Sequence, residues 1–183
     1  MTLTDIENYF TERCDEVISL SQHGDPWVFL CSSAMIDYLT NMVTGNSTRS
    51  KYIKFIEDYF SQVNILYKDF QYQIGLKDLP TQMYVILRCG IVHSFSFVPN
   101  QQGLTNGGRT RSILLAHEKN GHLHFQTYRK NGMDSVVFTA EQFSKDLKSV
   151  VGLLFQRARL DQQLENKIVN YVTIYPPILG QFS

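Results

Sequence analysis

The sequence predicts an α+β fold that is mainly α-helical: an antiparallel helical bundle with an appended three-stranded antiparallel β-meander. Apolar residues recur at helical spacing before residue 98 and after residue 139, which predicts the helices. Between them, Asn120-Gly121 and Asn131-Gly132 are both typical of type I′ hairpin turns and predict the meander. A chain of 183 residues with 43% hydrophobic content can bury one good core, so we expect a single domain.

This single domain, residues 1–183, divides into four predicted parts. Residues 1–98 form the helical bundle core, and the polar, glycine-rich residues 99–111 form a loop. Residues 112–138 form the meander, and residues 139–175 form the C-terminal helices.

Capping residues mark the first two helices of the core. The first begins with a capping box at Thr4-Asp5-Ile6-Glu7 and ends at Gly24. The second begins at Asp25-Pro26, where a cap precedes a first-turn proline, and ends at Gly45. Because this second helix is apolar apart from a narrow polar stripe, we expect it to be central.

Similar signals predict the remaining helices. Ser47 or Thr48 caps a third helix, and Asp78-Leu79-Pro80 begins a fourth. The segment 61–77 is ambiguous and holds one short helix at most. A second capping box at Thr139-Ala140-Glu141-Gln142 opens an amphipathic helix, which a final helix follows.

The charge balance and the cysteines indicate which partners and which cellular compartment to expect. Seventeen basic residues balance seventeen acidic ones, so no long-range field gathers polyanions and any nucleic-acid contact must be local. Cys14, Cys31 and Cys89 are odd in number and widely spaced, which favours reduced thiols in a cytoplasmic protein. The apolar stretch 27–43 is too polar to span a bilayer, so we expect no membrane contact.

Three histidines come together if Asn120-Gly121 forms a two-residue hairpin loop. His117 then opposes His124, and both share one face of the hairpin with His122. Imidazoles at these separations can bind zinc or nickel, but no carboxylate shares the face to support them. An exposed polar face is the alternative, and we expect no metal site. The opposite face is predicted to pack on the helices and carries Leu114, Ala116, Leu123, Phe125, Val136 and Phe138.

Two arginines in the predicted loop are candidate substrate-binding residues. Arg109 and Arg111 follow Gly107-Gly108 and offer guanidinium groups to a phosphate. The loop matches neither a Walker sequence nor a dinucleotide-binding fingerprint. The alternative is a solvated loop without a ligand.

The strongest candidate for chemistry is the pair Arg88 and His93, set in an otherwise apolar segment. On an α-helix, five residues correspond to about 140° of rotation, so the two side chains lie on neighbouring faces. The guanidinium of Arg88 offers several donors in one plane to a phosphate. The C-terminal end of a helix favours the protonated form of a histidine there, as expected for His93. These groups are the minimum equipment for metal-free phosphodiester cleavage. The alternative is structural: Arg88 pairs with a carboxylate such as Asp37, and His93 caps carbonyls.

This segment resembles the HEPN superfamily, small helical domains recognised by an Arg and a His that are separated by four to six residues near the end of a late helix. Here the motif runs from Arg88 to His93, and Tyr84 and Leu87 before it also look family-like. The layout of residues 25–98 is similar to that of a group of bacterial HEPN-like proteins.

The resemblance implies a metal-independent endoribonuclease of the toxin or phage-defence type that acts as a homodimer and needs no cofactor. His93 would be the acid or base on the ribose 2′-hydroxyl or the leaving oxygen, and Arg88 would hold the scissile phosphate. RNA and an antitoxin or other protein are the implied partners. The chain departs from the family by having Cys89, rather than a polar residue, directly after the Arg. Together with the neutral net charge, Cys89 favours the alternative function, a non-catalytic helical module that dimerises or binds a protein or nucleotide.

Overall fold

The computed structural model describes residues 1–92, 105–106 and 109–177, and over these the chain is mainly helical with a small mixed sheet. The helices, in chain order, are α1 (Leu3–His23), α2 (Trp27–Thr44), α3 (Arg49–Phe55), α4 (Ser61–Val63), α5 (Leu66–Asp69), α6 (Leu79–Met83), α7 (Ala140–Leu160) and α8 (Gln162–Ile174). Two π-helical segments, Ile56–Phe60 and Tyr84–Val92, continue α3 and α6. The strands are β1 (Thr105–Asn106), β2 (Arg109–Ala116), β3 (Thr127–Lys130) and β4 (Met133–Thr139).

The predicted ends of α1 and α2 are confirmed at their C-termini. Gly24 and Gly45 both adopt left-handed backbone conformations, with φ of 74° and 81°, and donate their N–H groups back to the last helical turns. The capping box of α1 lies two residues earlier than predicted. Thr2 is the N-cap, because its hydroxyl accepts from the Asp5 N–H while the Asp5 carboxylate accepts from the Thr2 N–H.

Helix α2 is central, as its sequence predicts. It packs against α1, α3, α7, α8 and the π-helical segment Tyr84–Val92. The hydroxyls of its buried Ser33 and Thr40 donate to the carbonyls of Phe29 and Ile36, one turn earlier. These hydrogen bonds satisfy the hydroxyls of Ser33 and Thr40 inside the core, whereas the buried hydroxyl of Ser32 has no partner among the described residues.

The segment that carries Arg88 is not α-helical. Tyr84–Val92 forms i→i+5 hydrogen bonds, so residues five apart lie more nearly above one another than on an α-helix. The predicted rotation of about 140° assumes α-helical geometry, which Tyr84–Val92 does not have. His93 itself lies outside the described residues.

The sheet is mixed, which corrects the predicted antiparallel meander. Its strand order is β1-β2-β4-β3, with β2 and β4 parallel and the other neighbouring pairs antiparallel. The hairpin at Asn131-Gly132 is confirmed: both residues have positive φ, 50° and 76°, and Lys130 pairs with Met133. In this sheet β3 pairs with one edge of β4, and β2 pairs with the other edge.

The second predicted hairpin, at Asn120-Gly121, is wrong. Residues Glu118–Asn120 form a single 3₁₀ turn that Gly121 ends in a left-handed conformation. Because β2 pairs with β4 instead of with the residues that follow this turn, the chain crosses to the far edge of the sheet. Leu123, predicted to be buried, is 71% exposed, whereas Phe125 does contact Phe138 edge to face at 5.7 Å between ring centroids.

The predicted loop 99–111 also needs correction where the structure describes it. Thr105–Asn106 pairs with Arg109–Thr110, and β2 begins at Arg109. Arg109 and Arg111 therefore belong to a strand of the sheet. Residues 99–104 and 107–108 lie outside the described part of the chain.

The C-terminal helices are confirmed, with caps that differ from the prediction. Thr139 is the N-cap of α7, but its hydroxyl makes no capping hydrogen bond. Asp161 caps α8 by accepting from the Gln163 and Leu164 N–H groups. Within residues 1–92, 105–106 and 109–177, no helix is both long and apolar enough to cross a membrane.

Gly45, which ends α2, and Gly152, inside α7, both have room for a Cβ atom, but only Gly45 has a positive φ. Comparing alanine substitutions at the two positions therefore tests the backbone conformation at the α2 terminus. Gly45→Ala must force an L-residue into the left-handed region, so we expect the free energy of unfolding to fall by about 1–2 kcal/mol. Gly152 lies exposed inside α7, and Gly152→Ala should raise the free energy of unfolding by about 0.5–1 kcal/mol. Urea denaturation of both variants measures the two changes. Equal effects of the two substitutions would contradict this account of the helix end.

Candidate functional site

A polar cluster forms where the π-helical segment Tyr84–Val92 packs on α2. Arg88 Nε donates to Asp37 Oδ1 at 3.1 Å, and Arg88 Nη2 donates to Ser47 Oγ at 3.3 Å. Ser47 Oγ in turn donates to the same Asp37 Oδ1 at 2.5 Å. One carboxylate oxygen therefore holds the guanidinium both directly and through a hydroxyl.

The Arg88 cluster, defined as Arg88, Asp37, Ser47 and Tyr84, is neither sealed nor fully open. The Arg88 and Asp37 side chains are 23% and 20% exposed. The Arg88 guanidinium also lies over the Tyr84 ring, 5.7 Å from its centroid. Desolvation opposes the charged form of Arg88, but the hydrogen bond and charge of Asp37 outweigh it and raise the Arg88 pKa. The cation is thus fixed in orientation and still reached by water.

Arg88 pairs with Asp37. This is the carboxylate expected if Arg88 has a structural role. Cys89, the departure from the HEPN pattern, interacts with Tyr84, five residues earlier. Burial, followed by hydrogen bonding with Cys89, raises the pKa of Tyr84. An i→i+5 helix brings residues at this spacing together. The thiol therefore supports the ring beneath Arg88.

The two other candidate arginines do not join this cluster. Arg111 is buried, and its Nε lies 2.7 Å from Asp78 Oδ2 at the start of α6. Its guanidinium joins the sheet to the helices and is not displayed to a substrate. Arg109 pairs through its backbone with Asn106, and its side chain, like His93, lies outside the described part of the structure.

The three histidines predicted on one hairpin face have separate surroundings. His117 Nδ1 lies 3.3 Å from Glu141 Oε1, at the start of α7. His124 is buried among aromatic rings, and His122 is partly exposed. The described residues contain no group of three or more His, Cys, Asp or Glu side chains placed to hold a metal ion.

His124 belongs to a buried chain of hydrogen bonds. The Thr139 N–H donates to His124 Nδ1 at 3.0 Å, so the neutral ring carries its proton on Nε2, which lies 3.3 Å from Tyr67 Oη. Tyr67 Oη donates to Asp146 Oδ2 at 2.8 Å, and Gln142 Nε2 donates to Asp146 Oδ1 at 2.7 Å. This chain joins the residues before β3 to α5 and α7.

Burial sets the protonation of this chain. It lowers the pKa of His124 to about 4 and raises the pKa of Asp146. The His124 and Asp146 side chains are only 6% and 5% exposed, so the chain is structural and not open to a substrate.

Sequence reasoning missed Tyr67, Asp146 and Ser47. A usable signal existed for Asp146, since it lies between Phe143 and Leu147 on the inward face of α7. An acidic residue on an apolar face indicates a buried partner. For Ser47 the sequence indicates only a helix cap.

Comparison with protein-family models, with curated proteins and with solved structures found no match to this chain. The resemblance to HEPN domains therefore depends on the motif from Arg88 to His93 and the residues around it.

The buried histidine predicts a specific acid sensitivity. Between about pH 6.5 and pH 4 the unfolded chain binds a proton at His124 that the folded chain excludes, so stability falls as the pH falls. At about pH 4.5 we expect a loss on the order of 2–3 kcal/mol in the free energy of unfolding relative to pH 7. The raised pKa of Asp146 acts in the opposite direction at the acid end. Urea denaturation at both pH values measures the loss.

His124→Gln retains an acceptor for the Thr139 N–H but cannot take up the proton. We therefore expect this variant to be less stable than the unsubstituted protein at neutral pH, with a smaller loss on acidification. The matched control is His122→Gln, which should keep the full pH dependence. An unchanged pH dependence in His124→Gln would contradict the assignment.

Proposed function

We propose that this chain is an HEPN-like, metal-independent endoribonuclease that acts as a dimer. The observation that carries the proposal is the Arg88 guanidinium, which Asp37 and Ser47 hold in a fixed, partly exposed orientation. A guanidinium held at a partly exposed position offers its positive charge and its donors to the oxygens of a phosphate. Its position in an Arg-x₄-His sequence supports the same function.

In this proposal the two motif residues divide the chemistry. His93 of one subunit accepts the proton of a ribose 2′-hydroxyl, and the 2′-oxygen attacks the neighbouring phosphorus. The 5′-oxygen leaves with a proton from His93 of the partner subunit. Arg88 binds the non-bridging phosphate oxygens and stabilises their charge in the transition state. Asp37 is a positioning residue, because it holds Arg88 at the site until the substrate binds.

A groove at the C-terminal end of α2, the helix that also carries Asp37, is consistent with a single-stranded substrate. It occupies about 390 Å³ between the C-terminal ends of α2 and α8, and its lining includes Tyr171, Tyr175 and Lys167. Tyr175 is 59% exposed, and Asp37 is close enough to Tyr171 to contribute to its raised pKa, after burial and Tyr175. Aromatic rings beside a cation suit an unstacked base and its phosphate. We propose that a nucleotide next to the scissile phosphate binds in this groove.

A second function is favoured by one observation in the same cluster. Arg88 Nε and Nη2 both donate to residues of their own chain, as expected for a structural ion pair. A non-catalytic module that dimerises or binds a protein or nucleotide would need nothing more. The two functions differ in whether RNA is cleaved.

Cleavage of RNA by the purified protein in the presence of a chelator tests the first function. We expect cleavage without metal, and a loss of at least ~100-fold in rate for both Arg88→Ala and His93→Ala. The matched control is Arg157→Ala, because Arg157 also lies over a tyrosine ring, 4.6 Å from the Tyr59 centroid, in α7. Arg157→Ala should retain the full rate.

Light scattering of the same samples completes the test. The proposal requires a dimer for the unsubstituted protein and for all three variants. A dimer that leaves RNA intact would favour the non-catalytic function, and a monomer that cleaves RNA would contradict the two-subunit site.

A further inference from the structure

Tyr52, in α3, has a buried hydroxyl without a hydrogen-bond partner among the described residues. Its side chain is fully buried, with 0% exposure. Its Oη is one of a small set of side-chain atoms in the described structure that are both buried and unpaired. An unpaired buried hydroxyl destabilises a folded protein, so its presence needs an explanation.

Two equally buried tyrosines show how unusual this is. Tyr67 Oη donates to Asp146 at 2.8 Å, and Tyr72 Oη donates to the Ser112 carbonyl at 3.1 Å. The core therefore supplies acceptors to buried phenols elsewhere.

The side chain of Tyr52 packs against the Arg88 cluster. Its ring contacts Tyr84 edge to face, with the centroids 5.6 Å apart, and Tyr84 is the ring beneath Arg88. Burial and the nearby negative charge of Asp37 raise the pKa of Tyr52, so its phenol remains a protonated donor. A buried donor without a partner thus belongs to the side chain that packs against the ring beneath Arg88, within the electrostatic influence of Asp37.

In the proposed function, Asp37 and the phosphodiester compete for the same donors of Arg88. Its Nε–H points at Asp37, so binding a phosphodiester through the same edge requires it to turn away. Asp37 would then lose its cation while it is only 20% exposed, which is costly for a carboxylate. Ser47 would remain as one donor to it. A second donor would lower the cost of releasing Arg88.

We propose that Tyr52 is a positioning residue of the Arg88 site, whose hydroxyl donates to Asp37 when Arg88 turns to bind a phosphodiester. This inference rests on the proposed function and adds a residue to it. In the free protein Arg88 donates to Asp37, and the Tyr52 hydroxyl has no partner among the described residues. In the phosphodiester-bound protein Tyr52 and Ser47 hold Asp37, and Arg88 binds the anion.

Tyr52→Phe separates this role from a structural one, because it removes only the hydroxyl. Since that hydroxyl has no partner in the free protein, the variant should be as stable as the unsubstituted protein or more stable. It should bind a single-stranded 2′-deoxy oligonucleotide, which cannot be cleaved, about tenfold more weakly. Urea denaturation and fluorescence anisotropy measure the two quantities.

The matched control is Tyr72→Phe, which removes a buried hydroxyl that has an acceptor. This variant should lose stability and keep its affinity for the oligonucleotide. The proposal is overturned if Tyr52→Phe loses as much stability as Tyr72→Phe, if it binds as tightly as the unsubstituted protein, or if the unsubstituted protein does not bind. Weaker binding by Tyr52→Phe in a protein that cleaves no RNA supports the role of Tyr52 and contradicts only the nuclease.

Discussion

The ion pair between Arg88 and Asp37 joins the central helix α2 to the π-helical segment Tyr84–Val92, and the candidate site depends on it. Both charged side chains are less than a quarter exposed, so neither charge is tolerated there without the other. Ser47 ties the turn after α2 to the same carboxylate oxygen. The pairing thus fixes the orientation of a cation that still reaches solvent. The Arg88 side chain is 23% exposed, whereas Arg111, paired with Asp78, is 7% exposed.

Local signals in the sequence predicted local structure well. The glycines that end α1 and α2 and the turn at Asn131-Gly132 were correct because each depends on the backbone conformation of one or two residues. Asn120-Gly121 carries the same local signal and failed. Its outcome depended on β4, a distant strand that pairs with β2 in parallel and so excludes the hairpin. Pairing between distant strands leaves no trace in the spacing around the turn.

Only part of the candidate site could be predicted from local signals in the sequence. Arg88 is conspicuous as a charge in an apolar segment, and Asp37 as a charge in an apolar helix, so each indicated a buried partner. The π-helical register was not predictable from apolar spacing, which is compatible with both helix types over so short a segment. Tyr52 is an aromatic residue of α3 that the structure places in the core, and only the packed structure shows that its buried hydroxyl has no hydrogen-bond partner among the described residues.

The most direct test of the central claim is the side-chain Nε–H resonance of Arg88 in ¹⁵N-labelled protein. In the free protein we expect a resolved, slowly exchanging signal, because Asp37 accepts from this group, and Asp37→Asn should weaken that protection. Titration with a single-stranded 2′-deoxy oligonucleotide should shift the Arg88 signal as the guanidinium exchanges the carboxylate for a phosphodiester. A protected signal that the oligonucleotide leaves unchanged would show that Arg88 is only a structural partner of Asp37.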